Sequence, residues 1–76
     1  MQLNEYTKQL GQRLLSLRQE KGLSQMEAAT EIGIDHTMLC RYEKGEFCPK
    51  IDNAYRLANY YGVSIDWLAG LKGDKR

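Results

Sequence analysis

The sequence predicts an all-α domain, on three observations. Alanine, leucine, glutamate, lysine and glutamine are abundant beside a single proline, and no stretch alternates apolar and polar residues long enough to demand a sheet. Apolar residues recur instead at three- and four-residue spacing, as in Tyr6, Leu10, Leu14 and Leu17. Between Leu23 and Gly45, capping residues and a glycine turn separate two short helical stretches with almost no linker. The chain has 76 residues, enough for one domain and near the size where a single core is marginally sufficient.

The first helix is expected from about Asn4 to Lys21, with Asn4 as N-cap and Gly22 as the stop. Tyr6, Leu10, Leu14 and Leu17 form its core face, and it carries nothing catalytic. The second helix opens on Ser24-Gln25-Met26-Glu27, a capping box in which Ser24 and Glu27 satisfy each other's backbone amides. Ala28, Ala29 and Ile32 fall on one of its faces, and the paired alanines allow another helix to cross closely. Gly33 supplies the turn through positive φ, Ile34 plugs the corner, and Asp35 caps the third helix.

That third helix, about His36 to Lys44, divides sharply at about 100° per residue. Met38, Leu39 and Tyr42 cluster on one side. His36, Thr37, Cys40, Arg41 and Lys44 spread over the other, with Glu43 at the border beside Leu39. A solvated face on an ordinary amphipathic helix is the plain alternative. The short helix and tight turn before it favour a recognition face, because this layout aims a row of polar side chains at the major groove of DNA.

Charge adds little support. The net charge is +1, distributed as +2 over residues 1–23, −3 over 24–48 and +2 over 49–76. A strongly basic domain would suggest nucleic acid by charge alone; here the positive groups must be well placed and nonspecific affinity modest. Other classes fare worse. One histidine, no paired carboxylates on a common face and no glycine-rich phosphate loop argue against an enzyme. Cys40 and Cys48 belong to no ligand cluster, so no metal and no cofactor is expected, and reduced thiols in a cytoplasmic protein are the plain reading. No apolar run approaches the roughly 18 residues of a membrane span, and the N-terminus does not resemble a secretory signal.

The stretch GLSQMEAATEIGIDHTMLCRYEKG resembles the helix-turn-helix of the XRE, or Cro/repressor-type, transcriptional regulators. The resemblance continues upstream through Leu14, Leu17 and Arg18. Downstream it runs through Pro49, Ile51, Asp52, Leu57 and Ala58 to GVSIDWLAG, covering about residues 10–70. It implies a compact five-helix bundle of the phage-repressor DNA-binding type, with a fourth helix over about Ile51–Tyr61 and a short fifth beginning near Ser64. Residues 1–70 are then the domain and 71–76 a flexible tail. The implied function is sequence-specific binding of double-stranded DNA by a transcriptional regulator, expected to be a repressor.

Carried over by position, the resemblance assigns base contacts to His36, Thr37, Cys40 and Arg41. Arginine can grip guanine O6 and N7 bidentately, and threonine can hydrogen-bond or touch a thymine methyl. His36 is placed equally well for a base, a phosphate or solvent. Cys40 reads as a groove contact rather than a redox switch, no resolving partner being evident. Phosphate contacts fall to Ser24, Gln25, Lys44 and Lys50; those at the second helix's start suit the positive end of a helix. Arg18 and Glu43 correspond to an ion pair that ties the recognition helix down.

The sequence departs from the family at three places. Ala28 and Ala54 stand where leucine is usual, leaving Tyr6, Tyr42, Tyr55 and Tyr61 as candidates to fill the volume. The connector Gly45-Glu46-Phe47-Cys48-Pro49 carries an acid and an aromatic where basic residues are common, and Phe47 is expected to lid the core rather than lie exposed. One recognition helix offers too few groove-facing side chains to pick a site from a genome, so a homodimer on a pseudo-palindromic operator is expected. Ile65 and Trp67 are its interface candidates, while Leu68 closes the core with Tyr61 and Leu57. No membrane and no small-molecule ligand are expected. The competing reading is a protein-interaction module, an antitoxin-like or anti-repressor partner that kept the helix-turn-helix shape, favoured by the −3 over residues 24–48.

Overall fold

Five helices follow one another in the computed structural model, which describes residues 5–71, 74 and 75: α1 (Glu5–Lys21), α2 (Gln25–Ile32), α3 (His36–Glu43), α4 (Ile51–Tyr61) and α5 (Ile65–Leu68). No strand occurs among the described residues. Asn4, expected to cap α1, lies outside them.

Local chemistry sets the helix starts. Ser24 Oγ accepts from the Glu27 amide at 3.1 Å while Glu27 Oε1 accepts from the Ser24 amide at 2.8 Å, so the box closes in both directions. The Ser24 amide that donates to this carboxylate, helped by the Ser24 hydroxyl, lowers the Glu27 carboxyl from its ordinary value. Asp35 Oδ2 accepts from the Met38 amide at 3.2 Å to start α3, and Ser64 Oγ accepts from the Trp67 amide at 3.0 Å to start α5. Between α2 and α3, Gly33 turns the chain with φ 87°.

The core gathers Leu10, Leu14 and Leu17 of α1, Ala28 and Ala29 of α2, Leu39 and Tyr42 of α3, Leu57, Ala58 and Tyr61 of α4, then Val63 and Leu68. α1 departs from expectation at its first turn: Tyr6 is 63% exposed, and Thr7 is buried in its place. The buried stripe is centred on Leu14 and includes Gly11, which sets Tyr6 about 80° from its middle. Gly11 explains the shift. A Cβ there would lie 2.4 Å from the Tyr42 carbonyl oxygen and 2.9 Å from that of Glu43, so α1 meets the end of α3 backbone against backbone.

Of the four tyrosines expected to replace missing core volume, Tyr42 and Tyr61 are buried, whereas Tyr55, like Tyr6, is 63% exposed. Ala28 is fully enclosed, but Ala54 is only half-buried. Beside it runs an apolar groove of about 200 Å³ walled by Leu10, Pro49, Ile51, Ile65 and Leu68. A short side chain at position 54 leaves volume that no neighbour fills.

Near the C-terminus, Ser64 donates from its backbone amide to the Lys75 carbonyl at 2.8 Å and from its hydroxyl to the Asp74 carbonyl at 2.7 Å. Among the described residues, no helix is long and apolar enough to cross a membrane.

Candidate nucleic-acid interface

Leu39, Tyr42 and Glu43 of α3 are buried, while Met38 is half-buried. Thr37, Arg41 and Lys44 are exposed and His36 and Cys40 half-buried; these five occupy an arc of about 140° on the opposite side. The back of the helix is therefore committed to the core and the front is open.

Three side chains lock α3 in that orientation. Arg18 Nε donates to Glu43 Oε2 at 2.8 Å, with side-chain exposures of 14% and 3%. Arg18 also donates through Nη1 to the Leu23 carbonyl at 2.7 Å, joining α1 to the α1–α2 turn. Gln25 Nε2 donates to the other carboxylate oxygen, Glu43 Oε1, at 3.0 Å. Glu43 thus sits deeper than its border position on the helical wheel suggested, because two donors satisfy it there. Burial without partners would cost a carboxylate several kcal/mol, about the range in which groups ionise differently or structures rearrange.

Two further ties were not legible in the sequence. Asn53 Nδ2 donates to the Tyr42 hydroxyl at 3.0 Å, linking α4 to α3. Arg56 Nη1 donates to the Gly33 carbonyl at 3.2 Å, linking α4 to the turn. No periodic pattern marks either residue, since both depend on where α4 lies relative to the first three helices.

The local charge deficit has a structural explanation. Of the five carboxylates in residues 24–48, Glu27 and Asp35 cap helices, Glu43 is paired with Arg18, and Glu31 accepts from the Tyr60 hydroxyl. That last bond raises the Tyr60 phenol to about 12. Four of the five acidic side chains here therefore hold helix ends or helix pairs together.

Of the remaining candidates, Ser24, Lys44 and Lys50 are exposed, Ser24 and Lys50 at the starts of α2 and α4. Lys50, Phe47 and Asn53 border a cleft of about 400 Å³ beside Met38 and Tyr42 of α3. Phe47 is no core lid: it is 43% exposed and lies beneath the Arg41 guanidinium, 5.2 Å from carbon to ring centroid. The tight turn after α3 carries it outward, past the core and back toward the exposed face. Ile65 lines the apolar groove and is half-buried. Trp67 is also half-buried, with Arg13 at 5.5 Å and Lys75 at 5.2 Å from its ring centroid.

The chain is similar to known proteins in sequence and in fold. A helix-turn-helix family model matches residues 14–68. The HTH-type transcriptional regulator ImmR of Bacillus subtilis is 41% identical over 61 residues, which are 80% of this chain and 48% of that protein. The cryptic phage CTXphi transcriptional repressor RstR of Vibrio cholerae is 40% identical over 53 residues, 70% of this chain and 48% of its own length. The chain therefore spans about half the length of these relatives. Among solved structures, the DNA-binding domain of BldD superposes with a TM-score of 0.74 at 30% identity, covering 90% of this chain and 97% of that one. Capped α2, glycine turn, anchored α3 and a match over most of the chain agree on one conclusion: this chain belongs to the helix-turn-helix family, of the XRE or Cro/repressor type.

Proposed function

We propose that this chain is a sequence-specific DNA-binding domain of a transcriptional regulator, acting as a repressor in the cytoplasm and reading the major groove with α3. One observation carries the reading. Thr37, Arg41 and Lys44 stand exposed on the polar face of α3, with His36 and Cys40 half-buried beside them, while the Arg18–Glu43–Gln25 network fixes the helix from behind. A rigid helix with a free polar face suits base readout, since a loose one would lose contact energy to ordering. The relatives' names and the BldD likeness support the same reading.

In this reading His36, Thr37, Cys40 and Arg41 reach base edges, and Ser24, Gln25, Lys44 and Lys50 hold phosphates. The test is selection of bound duplexes from a random pool, followed by titration of the selected and a scrambled site at two salt concentrations. Arg41→Ala is expected to remove most discrimination, since one bidentate contact is worth about 1–3 kcal/mol, without lowering the melting temperature. Lys44→Ala should instead weaken both duplexes about equally, because phosphates carry no sequence information; Gln25→Ala should do the same and also lower the melting temperature, since it removes a donor from the buried Glu43 carboxylate. Unchanged discrimination in Arg41→Ala would refute the assignment. Absence of DNA binding at low salt would return the domain to the protein-interaction class.

Two copies are proposed to share one pseudo-palindromic site, with half-sites about one helical turn apart. Ile65 and Trp67 are the pairing contacts. Support comes from the groove beside Ile65, whose rim residue Ile51 is 75% exposed, more apolar surface than an isolated domain needs there. Footprinting should protect both half-sites at saturation, with two chains per duplex. Protection of one half-site by a single chain would remove the dimer from the reading.

A further inference from the structure

The turn after α3 has a feature that the DNA-binding reading does not use. Lys44 ends the helix, Gly45 adopts φ 76°, and the chain folds back on itself. The Gly45 amide donates to the Tyr42 carbonyl at 3.1 Å and the Glu46 amide to the Arg41 carbonyl at 3.0 Å, the paired bonds of a Schellman turn. Gly45 is also pinned from outside, because a Cβ on it would lie 3.1 Å from the Lys8 Cα of α1. The turn therefore has little freedom. It delivers Phe47 to the exposed side of α3, where the Arg41 guanidinium lies over the ring at 5.2 Å.

We propose that Phe47 is a positioning residue for base recognition, holding the Arg41 guanidinium over its ring so that the arginine meets DNA already oriented. The inference rests on the proposed role of Arg41 as a base contact. An exposed arginine samples many rotamers, and a base contact must select one of them at an entropic cost. A ring contact reduces that cost in the free protein. When the guanidinium stacks parallel to the ring, its N–H edge stays available, because the ring attracts the cation through its face while a guanine accepts from the edge in the plane of the fork. Phe47 is accordingly exposed for a reason that core packing does not provide: buried, it could not reach Arg41.

A double-mutant cycle on the selected and scrambled duplexes tests this. The readout is the ratio of their dissociation constants for wild type, Phe47→Leu, Phe47→Tyr, Arg41→Ala and Arg41→Ala/Phe47→Leu. Leucine retains apolar bulk and loses the π face. Phe47→Leu is expected to reduce the ratio about three- to fivefold, the equivalent of an exposed cation–π contact, with the melting temperature unchanged. Phe47→Tyr should restore most of it. In the Arg41→Ala background, Phe47→Leu should change nothing further.

Two results overturn the proposal while leaving the role of Arg41 intact. One is a full ratio in Phe47→Leu where Arg41→Ala abolishes it. The other is an equal loss from Phe47→Leu in both backgrounds, which makes Phe47 a direct DNA contact. If Arg41→Ala itself leaves the ratio unchanged, the base-contact reading of Arg41 fails and the positioning role falls with it.

Discussion

Replacing Glu43 with alanine is expected to destabilise the fold by about 3–5 kcal/mol, a fall of about 15 °C or more in unfolding midpoint for a domain of this size. The substitution removes both oxygens that satisfy Arg18 Nε and Gln25 Nε2. Arg18 keeps the Leu23 carbonyl as a partner but is left mostly buried with an uncompensated charge. Differential scanning calorimetry on Arg18→Ala, Glu43→Ala and the double variant measures the effect. The double variant should cost less than the sum of the singles, because each single strands a partner that the double removes. If all three melt like wild type, the pair is no more than a surface contact. DNA binding by Glu43→Ala should fall with stability at any given temperature, since α3 loses its rear anchor.

Gly11→Ala is the second large effect, and here sequence and structure predict opposite signs. In the middle of an ordinary helix, alanine is favoured over glycine by about 1 kcal/mol. In this fold the added methyl would stand 2.4 Å from the Tyr42 carbonyl oxygen, 2.9 Å from that of Glu43 and 3.0 Å from the Gly45 amide nitrogen. All three are backbone atoms, which cannot step aside as a side chain end would. A net loss of about 3 kcal/mol is expected, toward the upper end of overpacking costs. Urea unfolding monitored by circular dichroism gives the sign directly. A stabilised Gly11→Ala would mean that α1 and α3 do not approach as described.

Much of the architecture is written in short-range chemistry. Ser24 with Glu27 and Asp35 with Met38 satisfy amides that a helix start leaves open, and Gly33 takes a left-handed conformation that a side chain resists; all three are decided within four residues. The inward set Leu10, Leu14, Leu17, Ala28, Ala29, Leu39 and Tyr42 follows from helical period alone. The open face of α3 follows from the same wheel, so the candidate recognition residues could be named before the fold was known.

Only the tertiary structure decided what depends on where one helix lies against another. Tyr6 satisfies the period of α1 and is nevertheless outside, because close contact with α3 turns the helix toward Gly11. Tyr55 is exposed and a groove remains beside Ala54, since volume lost at one position is recovered only if a neighbour happens to reach it. Phe47 is hydrophobic, which by composition alone argues for the core, but a Schellman turn pinned at Gly45 carries it to Arg41 instead. The ties from Asn53 to Tyr42 and from Arg56 to Gly33 join residues 11 and 23 positions apart, and no local pattern encodes such distances. Sequence by itself determined the first three helices and the faces they offer, because capping and periodicity act within a turn or two, while the fourth and fifth followed from the family resemblance. Packing determined which of those faces close, because shape complementarity exists only once two surfaces meet.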